Sequence, residues 1–372
     1  MIKILHFADV HLGRTFQMLG DKGAAHRRQV EATLRDAVAL AVRDRVDLVI
    51  IAGDLFEGRK PSRTALEVAL QEFRTLAHAG IRAVIIAGNH DANEDGRVPY
   101  ETDLRQAHPG LISFGPEVQT HPFPDLDLLV IGQSATPGAP NSPLAGWPRG
   151  RTTRFAVGVA HGSVYRPGQV EGDGLIHPRE IREVNLDYLA LGDWHSAAEV
   201  CAAPATAWYA GAPEMLTAAD EGAGHVLRVD IAGPNQAAVT PVRVGRRRYQ
   251  RLEIDAQQTD DQVLRQMLAE RADPDLMCDV VLTGLLPVDR ILATESLRRD
   301  FSDRFFRFRV ENRSRTRLDD EALAKFGKET VLGRFVTLMR DQIDTADGAH
   351  RQVLEEALQV GVAVLQTGEV PG

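Results

Sequence analysis

Apolar runs and helical-period stretches alternate along the start of the chain. Residues 2–8 form a run interrupted only by Lys3 and His6, which reads as a buried strand. Between 24 and 44, Val30, Leu34, Val38 and Val42 recur at helical spacing. Residues 46–52 form a second buried strand. Pro61 and Ser62 open a helix with Leu66, Leu70, Phe73 and Leu76 on one face, and Gly80 closes it. Residues 81–87 form a third strand. This β-α-β-α-β series predicts a parallel sheet with right-handed crossovers. Ligands of such sheets gather beyond the carboxyl ends of the strands.

The pattern loosens from 92 to 153, with one strand expected at 128–132. Residues 134–150 are rich in Pro, Gly and Ser and read as a loop, with the character of a flap. Residues 155–160 are apolar and run into His161, and 187–191 form a short strand ending at Gly192. Strand-like pieces near 198–202, 206–210, 224–231 and 238–244 predict an antiparallel second sheet. The expected fold is therefore α/β, a two-sheet sandwich flanked by helices over residues 1–245. A boundary is expected near Gly245. Residues 246–318 read as a small α+β unit: strand, helix (259–272), strand (279–285), helix (289–298), strand (305–311). A helical tail occupies 319–372, with stretches at 319–344 and 347–366. The first of these carries Leu323, Phe326, Val331, Phe335, Leu338, Met339 and Ile343.

Polar tips on the strands change this picture from scaffold to chemistry. Asp9 and His11 follow the first strand, Asp54 the second, and Asn89, His90 and Asp91 the third. His161 follows a later one, and Asp193 and His195 follow Gly192. Singly, each has a bland reading: Gly53-Asp54 as a capping turn, His161 as a satisfied buried histidine. Together they offer oxygen and nitrogen donors without thiolate. That mixture suits manganese, iron, magnesium or zinc rather than a structural sulfur site. Asp9, His11, Asp54, Asn89, His161, Asp193 and His195 exceed what one open catalytic ion needs. Two ions about 3.5–4 Å apart, sharing one carboxylate and a bridging hydroxide, would use them all.

Asp-x-His, Gly-Asp, Gly-Asn-His-Asp, a lone His after a strand and Gly-x-x-His, in this order, resemble the calcineurin-like metallophosphoesterases over residues 1–245. His6-Phe7-Ala8-Asp9-Val10-His11-Leu12-Gly13, Gly53-Asp54-Leu55-Phe56 and Tyr209-Ala210-Gly211-Ala212-Pro213-Glu214 resemble the SbcD-type DNA repair nucleases more closely. The resemblance implies that Asp9, His11 and His195 hold one ion, with Asp54 bridging. It implies that Asn89, His161 and residue 193 hold the other, with manganese as the expected metal in both places. His90 would act at the scissile phosphate as general acid or charge stabiliser, with Asp91 orienting it by hydrogen bond. The implied activity is metal-dependent hydrolysis of DNA phosphodiesters in repair. The implied partners are DNA and a coiled-coil SMC-like ATPase, with a homodimer as an option for the tail. The unit at 246–318 matches the position of the family's DNA-capping domain.

Most relatives carry Gly-His-x-His where this chain has Gly192-Asp193-Trp194-His195. A carboxylate in place of an imidazole adds charge and a harder donor, which favours manganese or magnesium. Glu57 stands where some relatives carry His, and its part is open. Trp194 is expected to be a packing side chain. Arg246, Arg247, Arg248 and Arg251 make a basic stretch read either as a DNA-binding surface or as a solvated strand edge. Arg304, Arg307, Arg309, Arg313, Arg315 and Arg317 read either as a solvated strand edge or, alternating with Phe305, Phe306 and Phe308, as charge on one strand face and rings on the other, a core-backed phosphate-binding surface. Two other readings stay open: an esterase of small phosphodiesters or phosphomonoesters, and a DNA-end scaffold with a weakened metal site.

Composition adds little. At 372 residues, 44% hydrophobic and 26% charged, the chain is an ordinary globular protein. Its net charge of −9 argues against a coat of nucleic acid but leaves room for basic grooves. No apolar run reaches the roughly 18 residues that would suggest a spanning helix, and Met1-Ile2-Lys3-Ile4-Leu5 lacks a signal-peptide pattern. Cys201 and Cys278 give no metal spacing or disulfide framework, so a cytoplasmic protein is expected.

Overall fold

The chain begins directly in a strand because Ile2, Ile4, Leu5 and Phe7 have nowhere to go but a core; each is at most 2% exposed. The computed structural model describes the chain except residues 137–140, 167–174, 203–204, 219, 288–289, 291, 317–326, 328 and 368–372. It divides into two compact units, Met1–Arg248 and Tyr249–Gly372.

The first unit contains β1 (Ile2–Phe7), β2 (Leu48–Ala52), β3 (Arg82–Ile86), β4 (Leu111–Ser113), β5 (Gln119–Phe123) and β6 (Leu128–Gly132). It continues with β7 (Phe155–His161), β8 (Tyr188–Gly192), β9 (Ala198–Cys201), β10 (Thr206–Tyr209), β11 (His225–Gly233) and β12 (Gln236–Arg243). One six-stranded sheet runs β12-β11-β1-β2-β3-β4 and the other β5-β6-β7-β8-β10-β9. β1, β2, β3 and β4 pair in parallel, as the helical crossovers Gly23–Asp44 and Arg63–His78 require. The Ser62 hydroxyl caps the second of these helices by accepting from the Ala65 N–H at 3.2 Å. Both sheets bury their facing sides in one core, which includes Ile4, Ile50 and Val84 from the first and Val130, Val157 and Tyr188 from the second.

The second sheet differs from the antiparallel expectation. β6, β7, β8 and β10 are parallel, and only the edge strands β5 and β9 run against them. β7 and β8 are buried at every position, as central parallel strands covered on both faces must be. β11 and β12 return instead to the first sheet, antiparallel beside β1. β11 largely alternates buried with half-buried or exposed positions, and the edge strand β12 has only half-buried and exposed ones, as a sheet margin with one wet face requires. The loop expected as a flap is anchored in its second half. Leu144 and Trp147 are 3% and 4% exposed and pack with Ile181 and Leu189.

His6 sits wholly buried in β1 with its Nδ1 2.7 Å from the Tyr188 hydroxyl, a core histidine as expected. Burial pushes its pKa down to about 3. Below the unfolded-state value near 6.5, the unfolded chain takes up a proton that the folded chain refuses. Stability is therefore lost as pH falls from about 6.5 towards 3, at about 1.4 kcal/mol per pH unit. Urea unfolding at pH 6 and pH 5 should show this extra slope, and His6→Gln should remove it.

In the second unit, the strands Arg248–Asp255, Leu276–Thr283 and Arg307–Asn312 form a three-stranded sheet with the helices Asp261–Arg271 and Thr294–Phe301. Phe301, Phe305 and Val310 enter its core. The Arg307 guanidinium lies 2.7 Å from both oxygens of Asp279, so that cation is already committed within the unit. In the tail, Val331–Thr345 and Gly348–Thr367 pair through Val336, Ile343, Leu358 and Val362. Leu323 and Phe326 lie outside the described residues. Among the described residues, no helix is long and apolar enough to cross a membrane.

Candidate metal centre

Just past their carboxyl ends, β1 and β2 stay zipped together. Asp9 N–H donates to the Gly53 carbonyl at 3.1 Å, His11 N–H to Asp54 at 3.0 Å and Leu12 N–H to Leu55 at 2.9 Å. To turn their side chains into the same space, Asp9, His11 and Asp54 adopt left-handed backbone, with φ of 53°, 52° and 51°. Each such residue costs about 1 kcal/mol or more, a strain that clusters at functional sites. Two glycines allow the neighbouring chains to approach. A Cβ on Gly53, at φ 94°, would meet His161 Nδ1 at 2.3 Å, and one on Gly88 would meet Asp54 Oδ1 at 2.1 Å.

The side chains converge. Asp54 Oδ2 lies 3.7 Å from His11 Nε2 and 3.5 Å from His161 Nε2, so one carboxylate oxygen faces both imidazoles. Asp54 Oδ1 accepts the His90 N–H at 3.0 Å. Ligand atoms of Asp9, His11 and His195 lie within 4.8 Å of one another, and so do those of Asp9, Asp54 and His161. Asn89 Oδ1 is 2.9 Å from His161 Nε2. The Asp193 N–H donates to Asp9 Oδ1 and Oδ2 at 3.1 and 3.2 Å. Its Oδ2 accepts from the Ser163 hydroxyl at 2.5 Å, while Oδ1 stands 3.9 Å from His161 Nε2. His90 is exposed at the mouth, edge-on to His11 with ring centroids 4.7 Å apart.

The electrostatics fit bound cations. Asp9, Asp54, Asp91 and His11 are at most 1% exposed. Burial, reinforced by the Asp54 charge, raises the Asp9 pKa, although His161, His11 and His195 pull it down. Burial and then Asp54 push Asp91 up to about 6. Burial opposes a proton on His161, but Asp54, Asp9, Asp193 and the Ala52 carbonyl outweigh it and raise its pKa. The pocket thus concentrates more negative charge than it accommodates alone. His11 Nε2 is a buried polar atom with no hydrogen-bond partner among the described residues, aimed into this charge. An orphaned imidazole nitrogen among carboxylates is the donor set of a divalent-ion site.

Two expectations need correction. Asp91 does not hold His90 by a side-chain bond. Its Oδ1 accepts the Gly88 N–H at 2.8 Å and its Oδ2 the Phe56 N–H at 3.1 Å, so it pins the turn that carries Asn89 and His90. The reason is geometric: a carboxylate three residues after Gly88 caps its own turn before it can reach a neighbouring ring. Trp194 is 44% exposed rather than packed, with the Arg166 guanidinium 4.4 Å from its ring centroid. Sequence reasoning also missed Ser163 and Asp220. Asp220 Oδ1 is 3.4 Å from His195 Nδ1, and no motif announced it. Glu214, 2% exposed, accepts the N–H groups of Arg246 and Arg247 at 2.9 Å each, fixing the backbone there.

An α/β sandwich with carboxylates and imidazoles clustered beyond its strand ends is the framework of a metal-dependent hydrolase. Residues 2–197 match the pattern of the calcineurin-like phosphoesterases, and the chain belongs to that family of phosphoester hydrolases. A DNA double-strand break repair protein Mre11 from Aeropyrum pernix is 28% identical over 272 residues, 68% of this chain and 64% of that protein. One from Sulfurisphaera tokodaii is 30% identical over 135 residues, 36% of this chain and 33% of that protein. A component of the nuclease SbcCD from Rhodobacter capsulatus is 27% identical over 281 residues, 62% of this chain and 67% of that protein. The chain thus spans one to two thirds of these relatives.

Proposed function

We propose that this chain is a manganese-dependent DNA phosphodiesterase of the SbcD type, working in repair or end processing. The observation that carries the metal chemistry is the position of Asp54 Oδ2 between the Nε2 atoms of His11 and His161. Asp9, His11 and His195 would hold one divalent ion, and Asn89, His161 and Asp193 the other, with Asp54 shared. Bound there, the ions supply Lewis acidity to the phosphodiester and lower the pKa of water. DNA as substrate is supported by the similarity to proteins named for double-strand break repair and to a nuclease component.

The chain's own side chains do the rest. His90, at the mouth, holds a proton on its ring and delivers it to the departing alkoxide. Asp54 fixes the His90 backbone through Oδ1, while its other oxygen faces the Nε2 atoms of His11 and His161, where it would be shared. Asp91 keeps the turn in shape through Gly88 and Phe56. Ser163 orients the Asp193 carboxylate, which stands where the family resemblance implies an imidazole. We expect this substitution to favour manganese or magnesium over softer ions. Asp193→His should shift metal content towards zinc; equal occupancy and equal preference in both proteins would rule the shift out.

Arg246, Arg248 and Arg251 are exposed and fit contact with the phosphate backbone. Reversing the charge at Arg246, Arg247, Arg248 and Arg251 should weaken duplex binding and flatten its salt dependence. Unchanged binding removes the stretch from the proposal. The helices Val331–Thr345 and Gly348–Thr367 are proposed to dock a coiled-coil SMC-like ATPase. The reading as a whole is tested by cleavage of linear duplex, single-stranded DNA and a chromogenic phosphodiester with manganese. Cleavage of the chromogenic ester alone would return the small-substrate reading.

A further inference from the structure

The imidazoles facing the pocket share one construction. His161 Nδ1 lies 2.9 Å from the Ala52 carbonyl oxygen. A carbonyl only accepts, so His161 Nδ1 carries a proton and donates it. His11 Nδ1 lies 2.8 Å from Glu57 Oε2, and His195 Nδ1 lies 3.4 Å from Asp220 Oδ1. Ionised carboxylates also only accept, so both of these rings carry a proton on Nδ1. The nitrogen this leaves on His11, Nε2, is the buried atom without a partner among the described residues.

Both carboxylates are themselves held. Glu57 Oε2 stands 3.6 Å from Arg14 Nη1, and the Glu57 N–H donates to the Leu12 carbonyl at 3.0 Å. Asp220 Oδ2 accepts the N–H groups of Thr217 and Leu216 at 2.7 and 3.3 Å. Neither residue belongs to the proposed ligand sets, and each backs an imidazole from its Nδ1 side. A histidine tied to a carboxylate through one nitrogen presents the other as a fixed and more basic ligand.

We propose that Glu57 and Asp220 are positioning residues that lock the proton of His11 and His195 on Nδ1 and thereby present both Nε2 atoms to the same ion. This rests on the metallohydrolase reading but not on DNA as substrate. Without Glu57, the His11 ring is free to place its proton on either nitrogen and to turn about its χ angles. Only one of those arrangements can bind an ion. The Glu57 carboxylate is a charged acceptor that must be balanced, and Arg14 is the cation in place to do so.

The test uses the full chain and two readouts that need no phosphoester. Long-range proton–nitrogen NMR of the metal-free protein reads the tautomers, and calorimetry with manganese alone reads affinity. Wild type should show His11 and His195 protonated on Nδ1. Glu57→Ala should mix the His11 tautomers and weaken manganese binding by about 10–100-fold. Glu57→Gln, whose amide oxygen still accepts, should keep the tautomer and restore most of the affinity. Asp220→Ala and Asp220→Asn should repeat the pattern at His195. A wild-type spectrum with the His11 proton on Nε2 overturns the proposal without any variant. So does Glu57→Ala with unaltered tautomer and affinity. A protein that passes both readouts but cuts no DNA would contradict the substrate and leave this inference standing.

Discussion

Asp54→Asn is expected to lose the shared ion position and, with it, phosphodiesterase activity by about 10³-fold or more. The substitution is nearly isosteric, so the packing around residue 54 persists. The amide oxygen can still accept the His90 N–H, the bond that Asp54 Oδ1 makes at 3.0 Å. What changes is the other atom. Asp54 Oδ2 faces His11 Nε2 and His161 Nε2 at 3.7 and 3.5 Å. An amide NH₂ in that place removes the negative charge and turns a donor towards both imidazole nitrogens. Those nitrogens are then occupied by a hydrogen bond and withdrawn as ligands. Metal analysis should show at most one ion, and unfolding should be little altered. A variant with two ions and full rate would show that residue 54 is not shared.

His90→Ala is expected to do the opposite: to spare metal content and reduce cleavage by about 10²–10⁴-fold. His90 is exposed at the mouth, and its ring makes an edge-on contact with His11 at 4.7 Å between centroids. Its backbone, not its side chain, is bound to Asp54. Truncation therefore leaves the turn intact, because Asp91 holds that turn through Gly88 and Phe56. The loss should be greatest with a poor leaving group and least with a nitrophenolate, which departs without a proton. Full nuclease activity in the variant contradicts this role.

Much of this centre was legible in the sequence, because strand ends and polar tips are local signals. The run 2–8 and the tip Asp9-Val10-His11 predict a strand and a donor pair without knowledge of the rest. The same holds at Asp54 and at Asn89-His90. Partnerships between distant segments were not legible. Asp220 reaches His195 from a segment with no motif, and Ser163 reaches Asp193 across a gap of 30 residues. The direction of Asp91 was misread because adjacency suggested a bond to His90, whereas a turn carboxylate is satisfied first by its own backbone. Sheet membership failed for a similar reason. β11 and β12 look like continuations of the strands before them, but their antiparallel place beside β1 depends on long-range pairing, which strand propensity does not encode.

Whether separate loops cage a pair of cations around Asp54 is tested most directly in crystals of the protein soaked in manganese and measured at the manganese absorption edge. Two anomalous peaks are expected, one against Asp9, His11 and His195 and one against Asn89, His161 and Asp193, with Asp54 touching both. A map at saturating manganese with no peak among these side chains would contradict the proposed centre.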